Sequence, residues 1–110
     1  MTTVRIWKEK TGQRYKAFEF CGHAGFAKSG KDIVCAAISA LSATTVNSII
    51  KLCADKPNIY ADEKNAIIRC TFSEFSSDEA TLLINSMIIG LEQIREQYDN
   101  KYIDIYFEEV

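Results

Sequence analysis

The only histidine, His23, precedes Cys35 by twelve positions, and the run Gly22 to Asp32 that contains it holds three of the five glycines. Those residue types point to thiol chemistry. A cysteine in the first turn of a helix meets unpaired backbone N–H groups and the positive end of the helix dipole, which favour a thiolate over a neutral thiol. Lys28 and Lys31 push the same way if they turn inward. A histidine within hydrogen-bond reach completes a thiolate–imidazolium pair, the nucleophile and base of covalent acyl transfer. The backbone N–H groups of Cys35 and Ala36 are then placed to serve as an oxyanion hole.

Each of these residues has a plainer use. A cysteine in a first helical turn also serves as a small apolar residue, and a lone histidine also sits on surfaces. Spacing alone leaves both uses open. Asp32 reads as an N-cap accepting from the N–H of Val34 or Cys35, which fixes the direction of the turn. Ser39, one turn after Cys35 on the same face, either touches the site or packs. Cys21 reads as a strand-buried thiol, with metal ligation or a resolving role as the alternatives. The segment from Gly22 to Asp32 is long for a loop in so short a chain, and Gly25 and Gly30 suit a flexible flap.

The elements that position this segment follow from periodicity. Val4, Ile6 and Lys8 alternate with Arg5 and Trp7, which predicts a first strand. Thr11-Gly12-Gln13 reads as a turn, and Tyr15 to Cys21 as a second strand. Ile38, Leu41, Thr45, Ile49 and Leu52 recur three or four apart, so a helix is expected from Ile33 to about Cys53, ended by Asp55-Lys56-Pro57. Asn58 to Asp62 and Ala66 to Phe72 read as two short strands. Ser76-Ser-Asp-Glu79 is a capping-box pattern opening a second helix whose apolar stripe runs from Ala80 to Tyr98. Tyr102 to Phe107 closes the chain as a fifth strand. The expected fold class is α+β, a two-layer sandwich of order β-β-α-β-β-α-β, with a mostly antiparallel sheet and two helices on one face. Trp7, Tyr15, Tyr60, Tyr102 and Tyr106 are the aromatics that could line the other face.

With 110 residues, a single domain spanning 1–110 is expected. Thirteen basic against fifteen acidic residues give a net charge of −2, which leaves no overall attraction for nucleic acid or anionic membrane. The start of the chain has no basic-then-apolar leader pattern. The stretch Leu82 to Leu91, broken by Asn85, Ser86 and Gly90, falls short of a membrane span. A cytoplasmic protein is therefore expected. The four cysteines form no Cys-x-x-Cys pair, which argues against a zinc ribbon or a thioredoxin-type motif.

Gly22-His23-Ala24, followed by Gly30-Lys31-Asp32-Ile33-Val34-Cys35-Ala36-Ala37-Ile38-Ser39, resembles the signature of the ribosomal-processing cysteine protease family known as Prp. The resemblance extends over the whole chain in length and order of elements. It implies a cytoplasmic bacterial endopeptidase that acts as a homodimer and removes the N-terminal extension of a large-subunit ribosomal protein precursor, a step needed for ribosome assembly. It implies Cys35 as nucleophile and His23 as general base and acid. Gly22, Asp32, Ala36 and Ser39 fall in supporting or substrate-binding places, and Gly25 and Gly30 in a loop that closes over the peptide. Apolar or aromatic residues before the cut are implied, and no metal or organic cofactor. Two other readings stay open on the residues alone. One is a non-catalytic, ribosome-associated peptide-binding or assembly protein. The other is a redox sensor pairing Cys35 with Cys21.

Overall fold

The computed structural model describes residues 1–22, 33–98 and 101–110. Its elements run β1 (Thr2–Lys8), β2 (Tyr15–Cys21), α1 (Ile33–Leu52), β3 (Asn58–Asp62), β4 (Ile67–Thr71), α2 (Asp78–Gln97) and β5 (Ile103–Glu109), the expected order. The strands form one sheet in the order β3-β4-β2-β1-β5. Three pairings are antiparallel and the β1–β5 pairing is parallel, so the sheet is mixed.

Period-two alternation sorts the strands' side chains onto two surfaces. Val4, Ile6, Phe18, Phe20, Cys70 and Ile103 are buried in one cluster with residues of both helices, which cover that side of the sheet. From α1 the cluster takes Val34, Ile38, Val46 and Ile49, and from α2 it takes Ala80, Ile84, Met87, Ile88 and Leu91. Most of those positions fall three, four or eight apart, the spacings of one helical face. The helices approach closely at Gly90, where a Cβ would stand 3.0 Å from Leu41 Cδ1. α1 is the longer uncharged run of the chain, with no charged residue before Lys51. It exceeds the stretch Leu82 to Leu91 considered above, and it is long and apolar enough to cross a membrane by length and composition alone. Here its apolar stripe is built into the core.

The opposite sheet surface is polar and largely pairs with itself. Tyr106, Arg5, Glu19, Arg69 and Tyr60 are register partners in one row across all five strands. Arg69 donates to Glu19 through Nε at 2.6 Å, while Arg5 and Arg69 each lie over a tyrosine ring, Tyr106 at 5.1 Å and Tyr60 at 5.3 Å. Two of the five aromatics expected on this surface are elsewhere. A register shift between Trp7 and Lys8 turns Tyr15 toward α2, where its hydroxyl donates to Asn85 Oδ1 at 2.5 Å. Tyr102 packs edge-on against Tyr98 at the end of α2.

A polar knot fixes the start of α2. Its N-cap is Ser77, whose hydroxyl accepts from Ala80 N, one residue later than the capping-box pattern suggests. Ser76 is committed to the sheet instead: its Oγ accepts from Tyr15 N at 2.9 Å and pairs with Thr81 Oγ1 at 2.6 Å. Arg14 Nη1 donates to the Ser76 carbonyl at 2.7 Å, and Asp55 accepts from Ser77 N at 2.9 Å and from its hydroxyl. Since Ser76 is fully buried, Ser76→Ala leaves the Tyr15 N–H without that acceptor. Urea denaturation is expected to show a loss of about 1–3 kcal/mol with an unchanged m-value.

Candidate active site

α1 starts where β2 ends, and the site lies at that end of the sheet. Val34, almost fully buried, anchors the first turn in the core. Cys35, next along, is half-buried, packs against the same core and opens onto a cavity of about 330 Å³. Ile38, Ser39 and Ser42 continue the cavity wall along α1. Thr2, Phe20 and Gly22 form the sheet side, and the β3–β4 hairpin from Ala61 to Ile68 forms the third side. Of the residues singled out in the sequence, Cys35, Ser39 and Gly22 are thus brought to one cavity, while Ala36 is exposed beside it. His23, Gly25, Gly30 and Asp32 lie outside the described residues.

Gly22 is held from three directions. Its N–H donates to the Ala66 carbonyl at 2.9 Å, and its carbonyl accepts from the hydroxyl of buried Thr2 at 3.1 Å. Its φ is +87°, and a Cβ there would come within 2.8 Å of the Met1 carbonyl oxygen. The third constraint is therefore steric, and it admits only glycine. The partner, Ala66, is itself left-handed at φ 53°. An L-residue there costs about 1–2 kcal/mol, and the hairpin accepts that cost in turning its carbonyl toward Gly22. Asp62 closes the hairpin by accepting from Asn65 N at 3.2 Å and Nδ2 at 2.7 Å. Those bonds, the side-chain one foremost, hold its carboxyl below the usual range, so it is ionised at neutral pH. The hairpin and Thr2 were not legible as parts of the site, because nothing in their residue types marks them. The Asp62-to-Asn65 spacing signals a turn, but not what the turn faces.

The other thiols differ in setting. Cys70 is fully buried, and burial, with the Asp55 charge second, pushes its thiol up to about 12. The Cys53 thiol is also raised, by desolvation first and then by the Asp55 and Glu79 charges. Cys21 follows Phe20 on β2, so alternation turns it to the sheet surface away from α1 and Cys35. That separation argues against the Cys35–Cys21 disulfide. Among the described residues, no group of three or more His, Cys, Asp or Glu side chains could hold a metal ion.

The chain is similar to known proteins over most of its length. A family model described as cysteine protease Prp matches residues 1–104. The ribosomal processing cysteine protease Prp of Staphylococcus aureus is 36% identical over 78 residues, 71% of this chain and 74% of that protein. Its counterpart from Bacillus subtilis is 37% identical over 86 residues, 74% of this chain and 77% of that one. A crystal structure of the S. aureus protease with a covalently linked product peptide superposes with a TM-score of 0.90 at 32% identity, covering 98% of this chain and 100% of that one. The S. aureus protease with a substrate peptide gives 0.85 at 31% identity, with the same coverage.

Two outcomes follow from the geometry. Gly22→Ala is expected to lower stability by at least about 1–2 kcal/mol in thermal or urea unfolding, since the new Cβ meets backbone as well as a disfavoured φ. Folding stabilises the neutral form of the Cys70 thiol. Its contribution is therefore complete below the ordinary thiol value of 9.0 and is lost as pH rises from there toward about 12. Iodoacetamide applied to the native protein at about pH 8.5, where an exposed thiol is substantially ionised, is expected to leave Cys70 unmodified in peptide mass mapping. The same treatment in urea should label it.

Proposed function

The chain belongs to the Prp family of cysteine proteases, and from that premise we propose that Cys35 is its nucleophile, His23 its general base and acid, and an N-terminally extended precursor of a large-subunit ribosomal protein its substrate. The observation that carries this reading is the position of Cys35, a half-buried thiol in the first turn of α1 at the wall of a cavity of about 330 Å³. The oxyanion that forms beside the sulfur lies at the N-terminal end of α1, where the helix dipole is positive. The relatives' names and the two peptide complexes support a peptide substrate.

The reaction runs in two halves. The Cys35 thiolate attacks the scissile carbonyl, a C–S bond forms, and the oxyanion is held at the N-terminal end of α1. As the C–N bond breaks, protonated His23 gives its proton to the leaving amine. Neutral His23 then takes a proton from water, and the hydroxide attacks the thioester. The C–S bond breaks, the carboxylate product leaves, and the thiolate–imidazolium pair is restored. Ser39, on the same helical face as Cys35, contacts the bound peptide. The enzyme works in the cytoplasm as a homodimer of one-domain subunits and uses neither a cofactor nor nucleic acid. Among the described residues β3 and β5 stand at the two edges of the sheet, which supports self-association, because open strand edges are commonly protected that way.

The test is mass spectrometry of the extended ribosomal protein from the same genome after incubation with the enzyme. One cut that frees the extension is expected from the wild type and none from Cys35→Ala, with both proteins melting at similar temperatures. Full cleavage by Cys35→Ala would overturn the assignment.

A further inference from the structure

Glycine is the residue least able to hold its own carbonyl in one direction, because no side chain restrains its backbone. Gly22 stands directly before His23, the base of the reading above, so that freedom falls where the reaction tolerates it least. The peptide bond is planar, and the Gly22 carbonyl therefore shares one rigid unit with the amide nitrogen and Cα of His23. Whatever holds that carbonyl also holds the start of the next residue.

The register of β1 with β2 ends at Thr3 and Cys21, and Gly22 then turns off at φ +87°. Its backbone is bound instead by groups from two other places in the chain. The N–H donates to the Ala66 carbonyl at the β3–β4 hairpin, and the carbonyl accepts from Thr2 Oγ1 at 3.1 Å. A hydroxyl has one proton to donate, and Thr2 gives it to Gly22. Thr2 is 2% exposed, so that bond is sheltered from water that would compete for the carbonyl. The rest of the side chain is explained without the hydroxyl, since any β-branched residue suits a strand. Core packing alone would favour valine, because burying a hydroxyl has an unfavourable desolvation. Thr2 also lines the cavity onto which Cys35 opens, so the bond lies at the site and not remote from it.

We propose that Thr2 is a positioning residue for the proteolytic reaction: its hydroxyl fixes the Gly22 carbonyl and thereby holds His23 in reach of Cys35. The proposal rests on the protease reading above and adds a residue that acts through the backbone.

The experiment compares the full wild-type chain with Thr2→Val, which keeps the shape and removes the hydroxyl, and Thr2→Ser, which keeps the hydroxyl. The probe is a peptide spanning the junction of the ribosomal-protein extension, with cleavage followed by mass spectrometry. Thr2→Val is expected to lower kcat about tenfold or more with KM within about twofold, because loosened geometry slows the reaction without removing substrate contacts. Thr2→Ser is expected to keep most of the wild-type kcat. The pH dependence of Cys35 alkylation by iodoacetamide is measured beside it. An imidazolium partner keeps the sulfur ionised at lower pH. The alkylation midpoint is therefore expected to rise in Thr2→Val toward the value of an ordinary thiol, about 8.5, and to stay in place in Thr2→Ser. A merely structural role would lower the Tm and leave the midpoint where it is. If Thr2→Val does not fold, Thr2→Ala takes its place, since it also lacks the hydroxyl and sets no methyl against the Gly22 carbonyl. With Cys35-dependent cleavage in the wild type, three results overturn the role of Thr2 alone: an unchanged kcat in the variant, a loss that Thr2→Ser shares, or a loss with the midpoint unmoved. Absence of Cys35-dependent cleavage in the wild type overturns the protease reading, and the role of Thr2 with it.

Discussion

The structure depends on β2 being paired on both edges. β1 and β4 hold it at the centre of the sheet, and its Phe18 is buried completely beneath the helices. On the other surface the same strand carries Glu19, the anion that Arg69 binds. At its start, Tyr15 and Arg14 hold the first turn of α2 through Ser76. At its end, Gly22 is fixed by Thr2 and Ala66. One strand thus locates the core, the polar surface, the second helix and the edge of the cavity. A displacement of β2 would be felt at all four.

Because that strand is paired on both edges, the site can be built from distant pieces. Thr2, Phe20, Cys35 and the hairpin after β3 meet at one end of the sheet, where strand termini and a helix N-terminus converge. Family membership adds the chemistry to this arrangement. The geometry separates the four thiols by environment: Cys70 lies in the core, Cys21 on the far surface, Cys53 just beyond the end of α1, and Cys35 at the cavity. Only the last combines partial burial with a first helical turn and a neighbouring space for a peptide.

Much of this was legible in the chain, and the exceptions have physical causes. Alternation in Val4 to Lys8 and the three-to-four spacing in α1 and α2 report burial directly, so element order and helix faces could be read. Ser76 and Ser77 are chemically identical, and only the tertiary demand of Tyr15 N for an acceptor decides which of them caps α2. Tyr15 faces α2 because of a register irregularity that leaves no mark in residue type. Ala66 reads as a strand residue, yet it adopts a left-handed turn because Gly22 needs its carbonyl. The Gly-His-Ala and Asp-Ile-Val-Cys segments were legible as chemistry, whereas the cavity's sheet and hairpin walls came together only through folding.

The parallel pairing of β1 with β5 has a kinetic consequence. Thr2 lies beside Ile103 and Lys8 beside Glu109, so the contact joins segments nearly a whole chain apart. A closure of that span has a large loop entropy and forms late on a folding pathway. Until it forms, β1 offers an unpaired edge whose next strand has yet to arrive. A β5 from another copy can fill that edge as well as the chain's own, since the register it offers is the same. The strand that completes the monomer is therefore the one through which two incomplete chains can exchange.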